Sequence, residues 1–148
     1  MSNRLQWTKL APEAYKGFGA VHEYVNSSLP AELVHLIYLR VSLINGCAYC
    51  IDMHTRDLLK CGVSTDKVAL VPVWEEAPSL FSDKERAALA WAESVTRIPQ
   101  SNVPDADYQK ALAVLGEQEL ADVTVAVALM NAFNRFGVSM RMTPAAVK

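Results

Sequence analysis

Residues 44–62 read INGCAYCIDMHTRDLLKCG, and the fold follows from how this stretch is read. Asn45 and Gly46 both tolerate the backbone of a tight turn. Beyond them the spacing is helical: Cys47 and Cys50 are three apart, and Cys50 and His54 are four apart. On a helix that begins near Cys47 and runs to Lys60, those three side chains share one face. Asp57, three residues past His54, lies on the same side. Gly62 then suits the left-handed position that follows a helix end. The C-x-x-C therefore opens a helix. No βαβ pattern of the thioredoxin kind leads into it.

Working outward toward the N-terminus, Pro30 starts a helix that reaches Leu43 or Ile44. Pro12 starts an earlier one, to about Asn26, with the apolar stripe Tyr15, Phe18, His22 and Val25. Gly17 and Gly19 within it read as points of close packing. Toward the C-terminus, Ser64 or Thr65 caps a short helix carrying Val68, Ala69, Val71 and Val73, and Pro72 limits its length. The segment EEAPSLF (75–81) reads as a connector. Ser82 followed by Glu85 is a capping box that opens a helix from Asp83 to Thr96, stopped by Ile98 and Pro99. A further helix runs from Asp105 to Leu115 and breaks at Gly116. The last runs from about Glu117 to Phe136, with Gly137 as its end, and TPAAVK (143–148) reads as a loose tail. Sustained polar–apolar alternation is absent. The prediction is an all-α, single-domain protein of about six or seven helices over 1–148, with its core at about 11–140.

Composition agrees with a packed domain. Of 148 residues, 51% are hydrophobic and 20% charged, enough apolar matter for a core and too much for a disordered chain. Fourteen basic and 16 acidic residues give a formal charge of −2, so no basic field invites nucleic acid or an anionic membrane. The run LVHLIYLRVSLI (33–44) carries His35 and Arg40 and is too short to span a bilayer. The run ELADVTVAVALMNAFNRF (119–136) is interrupted by Asp122, Asn131, Asn134 and Arg135, which fits a helix buried in a core or a subunit interface. The start, MSNRLQWTKLAPEAY, has no apolar stretch of signal-peptide length, so the expected location is cytoplasmic. Three cysteines, an odd count, argue against a secreted disulfide scaffold.

The chemistry suggested by the Cys-Cys-His face is redox. Free backbone N–H groups at a helix start favour a thiolate. A second thiol one turn away can close a disulfide with it, and a histidine four residues on can move the proton. Two other readings stay open. The thiols can be small buried hydrophobes, or Cys47, Cys50 and His54 can hold zinc or iron, with His35 or His22 as a fourth ligand. His35 sits on the helix that turns directly into Cys47 and can fold back beside the cysteines. Asp57 is placed to orient His54, Tyr49 to donate a hydrogen bond, and Arg56 or Arg40 to pair with an acid or lower a thiol pKa. Cys61 reads as a partly buried bystander at a helix end. Trp7, Trp74 and Trp91 read as packing residues.

The stretch from Leu33 to Gly62, centred on LRVSLINGCAYCIDMHTRDLLKCG, resembles the carboxymuconolactone decarboxylase and alkyl hydroperoxidase D superfamily. FSDKERAALAWAESVTRI (81–98) and NAFNRFGVSM (131–140) resemble the same family's later helices. The resemblance implies an all-helical fold assembling as trimers or hexamers. In the peroxidase branch it makes Cys50 the residue that attacks the hydroperoxide, Cys47 the resolving cysteine and His54 part of the proton relay. The partners implied are a small hydroperoxide and an external dithiol reductant, in some members a lipoyl-bearing protein. No cofactor and no metal ligand are implied. The sequence departs from the pattern twice: His35 stands where the hydroperoxidase has a glutamate, with Glu32 one turn earlier as a possible substitute, and Tyr49 stands where it has a histidine. His35 is taken as the relay's helper. A non-enzymatic sensor that changes assembly when Cys47 and Cys50 join is the alternative function, beside a metal-binding module.

Overall fold

The computed structural model describes residues 4–147, and every regular element among them is helical. In chain order these are α1 (Trp7–Leu10), α2 (Pro12–Ser28), α3 (Ala31–Asn45), α4 (Ala48–Lys60), α5 (Thr65–Leu70), α6 (Asp83–Thr96), α7 (Ile98–Ser101) and α8 (Asp105–Ser139). Short 3₁₀ turns occupy Val71–Glu76, Pro78–Leu80 and Ala145–Val147. The predicted all-α class is correct. No helix among the described residues is long and apolar enough to cross a membrane.

Local chemistry accounts for the boundaries. Gly46 closes α3 at φ 67°, a left-handed conformation that costs glycine little. Ser82 and Glu85 form the expected capping box: the Glu85 N–H donates to Ser82 Oγ at 3.2 Å and the Ser82 N–H to Glu85 Oε2 at 2.8 Å. The helix it starts covers Asp83–Thr96, as predicted. Gly116 interrupts α8 at φ 72°, ψ 171°, so the two predicted helices lie end to end across a kink.

Four expectations need correction. Gly137 does not end a helix; α8 continues to Ser139, because the missing side chain serves packing there. Gly17 and Gly19 are not points of close approach, since a Cβ on either meets nothing within 4 Å. The tail is not loose: the Ala146 N–H donates to Asp52 Oδ2 at 3.2 Å and lays the last turn on α4. Cys61, at the C-cap of α4, is exposed.

The long α8 is the spine. It packs along α6 and α3, with α2 and α4 on its flanks. One apolar cluster joins α2, α3, α6 and α8 through Val25, Val34, Ile37, Tyr38, Val41, Ala92, Val123, Val127 and Met130, and takes in Cys47 and Cys50. A second joins α3, α4 and α6 to the 3₁₀ segment through Leu36, Leu39, Leu58, Val71, Trp74 and Leu89. α3 contributes to both, which is why its apolar residues run around it and do not form a stripe. The two cysteines thus sit inside the larger cluster, between α4 and the C-terminal half of α8.

Candidate active site

Cys47 is the N-cap of α4 and Cys50 lies in its first turn. Their sulfurs are 2.8 Å apart, and both residues are buried and free. Backbone N–H groups of Tyr49 and Cys50 face Cys47, as expected at a helix start. The hydrogen bond shared with Cys50, reinforced by those N–H groups and by Asn134, outweighs burial and lowers the Cys47 thiol to about 7. The same shared hydrogen bond, followed by burial, pushes the Cys50 thiol up. When the pair gives up one proton, the negative charge settles on Cys47 and the remaining proton stays on Cys50.

Access runs the other way. Cys50 lines a cavity of about 280 Å³; Cys47 does not. Its walls are largely aromatic and thioether groups, among them Trp7, Tyr38, Tyr49, Met53, Phe133 and Phe136, with His22 and His54 as the imidazoles. Cys47 is instead turned toward α8. A Cβ on Gly137 would stand 2.6 Å from its sulfur, so only glycine leaves room for it.

Behind the cysteines lies a set of amides that the sequence reading did not single out for the site. Asn45 Nδ2 donates to Asn134 Oδ1 at 2.9 Å and to Asn131 Oδ1 at 3.0 Å. Asn134 Nδ2 donates to Ser42 Oγ at 2.9 Å, and Asn134 is 1% exposed. The signal was available: Asn131 and Asn134 interrupt an apolar run, and buried amides need partners. Their partners lie on α3, which only the fold supplies.

His54, one turn past Cys50, is 3% exposed, and burial lowers its pKa to about 3. His35 comes from α3, with its ring centroid 5.5 Å from that of His54, and the Tyr38 ring lies tilted at 5.0 Å from the same ring. Burial lowers His35 as well, against the opposing pull of Asp57. The fold thus brings all four predicted site residues, Cys47, Cys50, His54 and His35, to the junction of α3 and α4. Glu32 does not join them; it is bound to Lys67 at 2.9 Å on the surface, so it is no substitute for the family's glutamate. Asp57 Oδ2 lies 3.9 Å from His54 Nδ1, too far for the hydrogen bond that would orient the ring. Arg56 is held by Asp52 at 2.9 Å and Arg40 by Glu93 at 2.7 Å. Trp7, read as a packing residue, also forms part of the cavity wall.

An all-α fold with a buried C-x-x-C at a helix start, beside two imidazoles, is the arrangement that the resemblance to the alkyl hydroperoxidase D-like class implies. Residues 12–94 match the sequence pattern of the carboxymuconolactone decarboxylase family, and the chain belongs to it. It is 35% identical over 141 residues to the uncharacterized protein YdfG of Bacillus subtilis (strain 168), covering 95% of each chain. The crystal structure of ATU0492 from Agrobacterium tumefaciens, a protein of unknown function assigned to AhpD-type antioxidant defence, superposes with a TM-score of 0.91 at 38% identity, over 97% of this chain and 98% of that one. The debrominase Bmp8 superposes at 0.84 with 20% identity, over 94% of this chain and 75% of that one, a likeness of fold.

Proposed function

We propose that this protein is a dithiol peroxidase that reduces apolar organic hydroperoxides in preference to hydrogen peroxide. The observation that carries the reading is the cavity: a space of about 280 Å³ with mostly apolar walls that reaches Cys50, with the Cys47 sulfur 2.8 Å from it. Such walls favour an alkyl or aryl group by the transfer of apolar surface out of water. The likeness of this chain to ATU0492 supports the same direction.

In the proposed cycle the remaining proton passes to Cys47, leaving Cys50 as the thiolate facing the cavity. Cys50 attacks the distal oxygen of ROOH; the O–O bond breaks, Cys50 becomes a sulfenic acid and RO⁻ leaves. His54, with His35 as helper, relays a proton from solvent to RO⁻, which leaves as ROH. Cys47 then attacks the Cys50 sulfur, water departs, and a Cys47–Cys50 disulfide forms. An external dithiol, of the lipoyl class, restores both thiols and becomes a disulfide itself. Exposed Leu10, Tyr15, Val21 and Tyr24 support assembly of the chain into a trimer or hexamer.

The test is peroxide consumption with a dithiol reductant. Cys50→Ser abolishes turnover, and Cys47→Ser, with the reductant left out, consumes one equivalent of peroxide and stops at the sulfenic acid. The wild type has a higher kcat/KM for cumene hydroperoxide than for hydrogen peroxide. An unchanged rate in the Cys50 variant refutes the mechanism, and the reverse substrate preference refutes the role given to the cavity.

A further inference from the structure

Four buried polar atoms have no hydrogen-bond partner among the described residues: His35 Nδ1, His54 Nδ1, His54 Nε2 and the Tyr38 hydroxyl. They gather where α3 faces α4, with the His35 and Tyr38 rings 5.5 Å and 5.0 Å from that of His54. Buried polar atoms normally have partners, so four unpaired ones in one place point to a ligand that takes up at least the imidazole nitrogens facing one another. Asp57 adds a negative charge at the same place. Its Oδ1 is held by Lys60 Nζ at 2.8 Å, while Oδ2 lies 3.9 Å from His54 Nδ1. One ligand atom from each of His35, His54 and Asp57 lies within 4.8 Å of the other two.

We propose that His35, His54 and Asp57 form a binding site for a divalent transition-metal ion of the zinc type. Two imidazoles and one carboxylate are the donors such an ion accepts, whereas magnesium or calcium would need oxygen donors throughout. A tetrahedral ion with bonds of about 2.1 Å sets its donors about 3.4 Å apart, so binding draws the three side chains inward. His54 also lines the cavity, which leaves the fourth position open to water or to a small oxygen ligand. The cluster contains neither cysteine. This site therefore differs from the Cys47–Cys50–His54 set that spacing alone suggests.

The full-length reduced protein is titrated with cobalt(II) and followed by visible absorption, with zinc binding measured by calorimetry. One equivalent binds per chain, with d–d bands but without thiolate-to-cobalt charge transfer, and the Cys47→Ser/Cys50→Ser double variant binds equally well. His54→Ala and Asp57→Ala each weaken zinc binding by about tenfold or more. Asp57 is a quarter exposed, so its variant keeps the fold, which circular dichroism verifies. Absence of uptake by the wild type overturns the site. So does charge transfer that disappears in the double cysteine variant, or affinity that is indifferent to both His54 and Asp57. The binding readout does not use peroxide, so it stands or falls apart from the proposed peroxidase activity.

Discussion

A side chain on Gly137 would place its first carbon 2.6 Å from the Cys47 sulfur and 3.6 Å from that of Cys50. The neighbour under pressure is the sulfur that must stay within reach of Cys50. Gly137→Ala is therefore expected to displace Cys47 and slow disulfide formation well beyond its effect on stability, which overpacking of this size lowers by about 1–3 kcal/mol. Stopped-flow oxidation of the dithiol, set beside thermal denaturation, separates the two effects; disulfide closure at the wild-type rate would contradict the packing argument. Reading Gly137 as a terminator applied a sound rule to the wrong role. Glycine weakens a helix and also admits a neighbour, and the letter alone does not say which. Cys47, Cys50 and His54 were readable because they lie on one helix, where spacing determines the face. The value of His35 over Glu32 depended on which turn of α3 meets α4, a tertiary fact.

At the scale of elements, α8 shows how much one backbone conformation can decide. Gly116 lies at φ 72°, ψ 171°, a region essentially closed to other residues, yet a Cβ there meets nothing within 4 Å. Any cost of Gly116→Ala is thus conformational and not steric crowding by neighbours. The expected loss is about 1–3 kcal/mol, read as a lower denaturation midpoint with an unchanged denaturant slope. A neutral substitution would mean that the two halves of α8 are free to realign. The break was visible in the sequence because Gly116 separates two amphipathic runs, and α6 was visible because Ser82 and Glu85 satisfy each other at its start. The short α1, α7 and 3₁₀ turns were not anticipated. Elements of three to six residues complete too few turns to show a hydrophobic period, and tertiary contacts decide them.

For the whole molecule, the buried imidazoles couple folding to acidity. His54 falls from 6.5 to about 3 in the folded protein, and His35 is lowered too. The unfolded chain consequently binds more protons across that interval. The contribution to stability is complete above pH 6.5 and is lost as pH falls toward about 3, at up to about 1.4 kcal/mol per pH unit for His54. Metal-free protein should thus melt at a lower temperature at about pH 5 than at about pH 7. His54→Phe should flatten that difference, and an equally steep slope in the variant would assign the acid sensitivity elsewhere.

The placement of the three indoles has an experimental consequence. Trp74 and Trp91 donate to Glu93 at 2.7 Å and to Thr124 at 2.9 Å, and neither borders the cavity that reaches Cys50. Trp7 does border it, stacked on Phe136 with ring centroids 3.9 Å apart. The molecule carries its own optical gauge: a guest entering that space meets Trp7 alone among the tryptophans. Intrinsic emission, with no label attached, can therefore time the arrival of a substrate separately from the oxidation that follows.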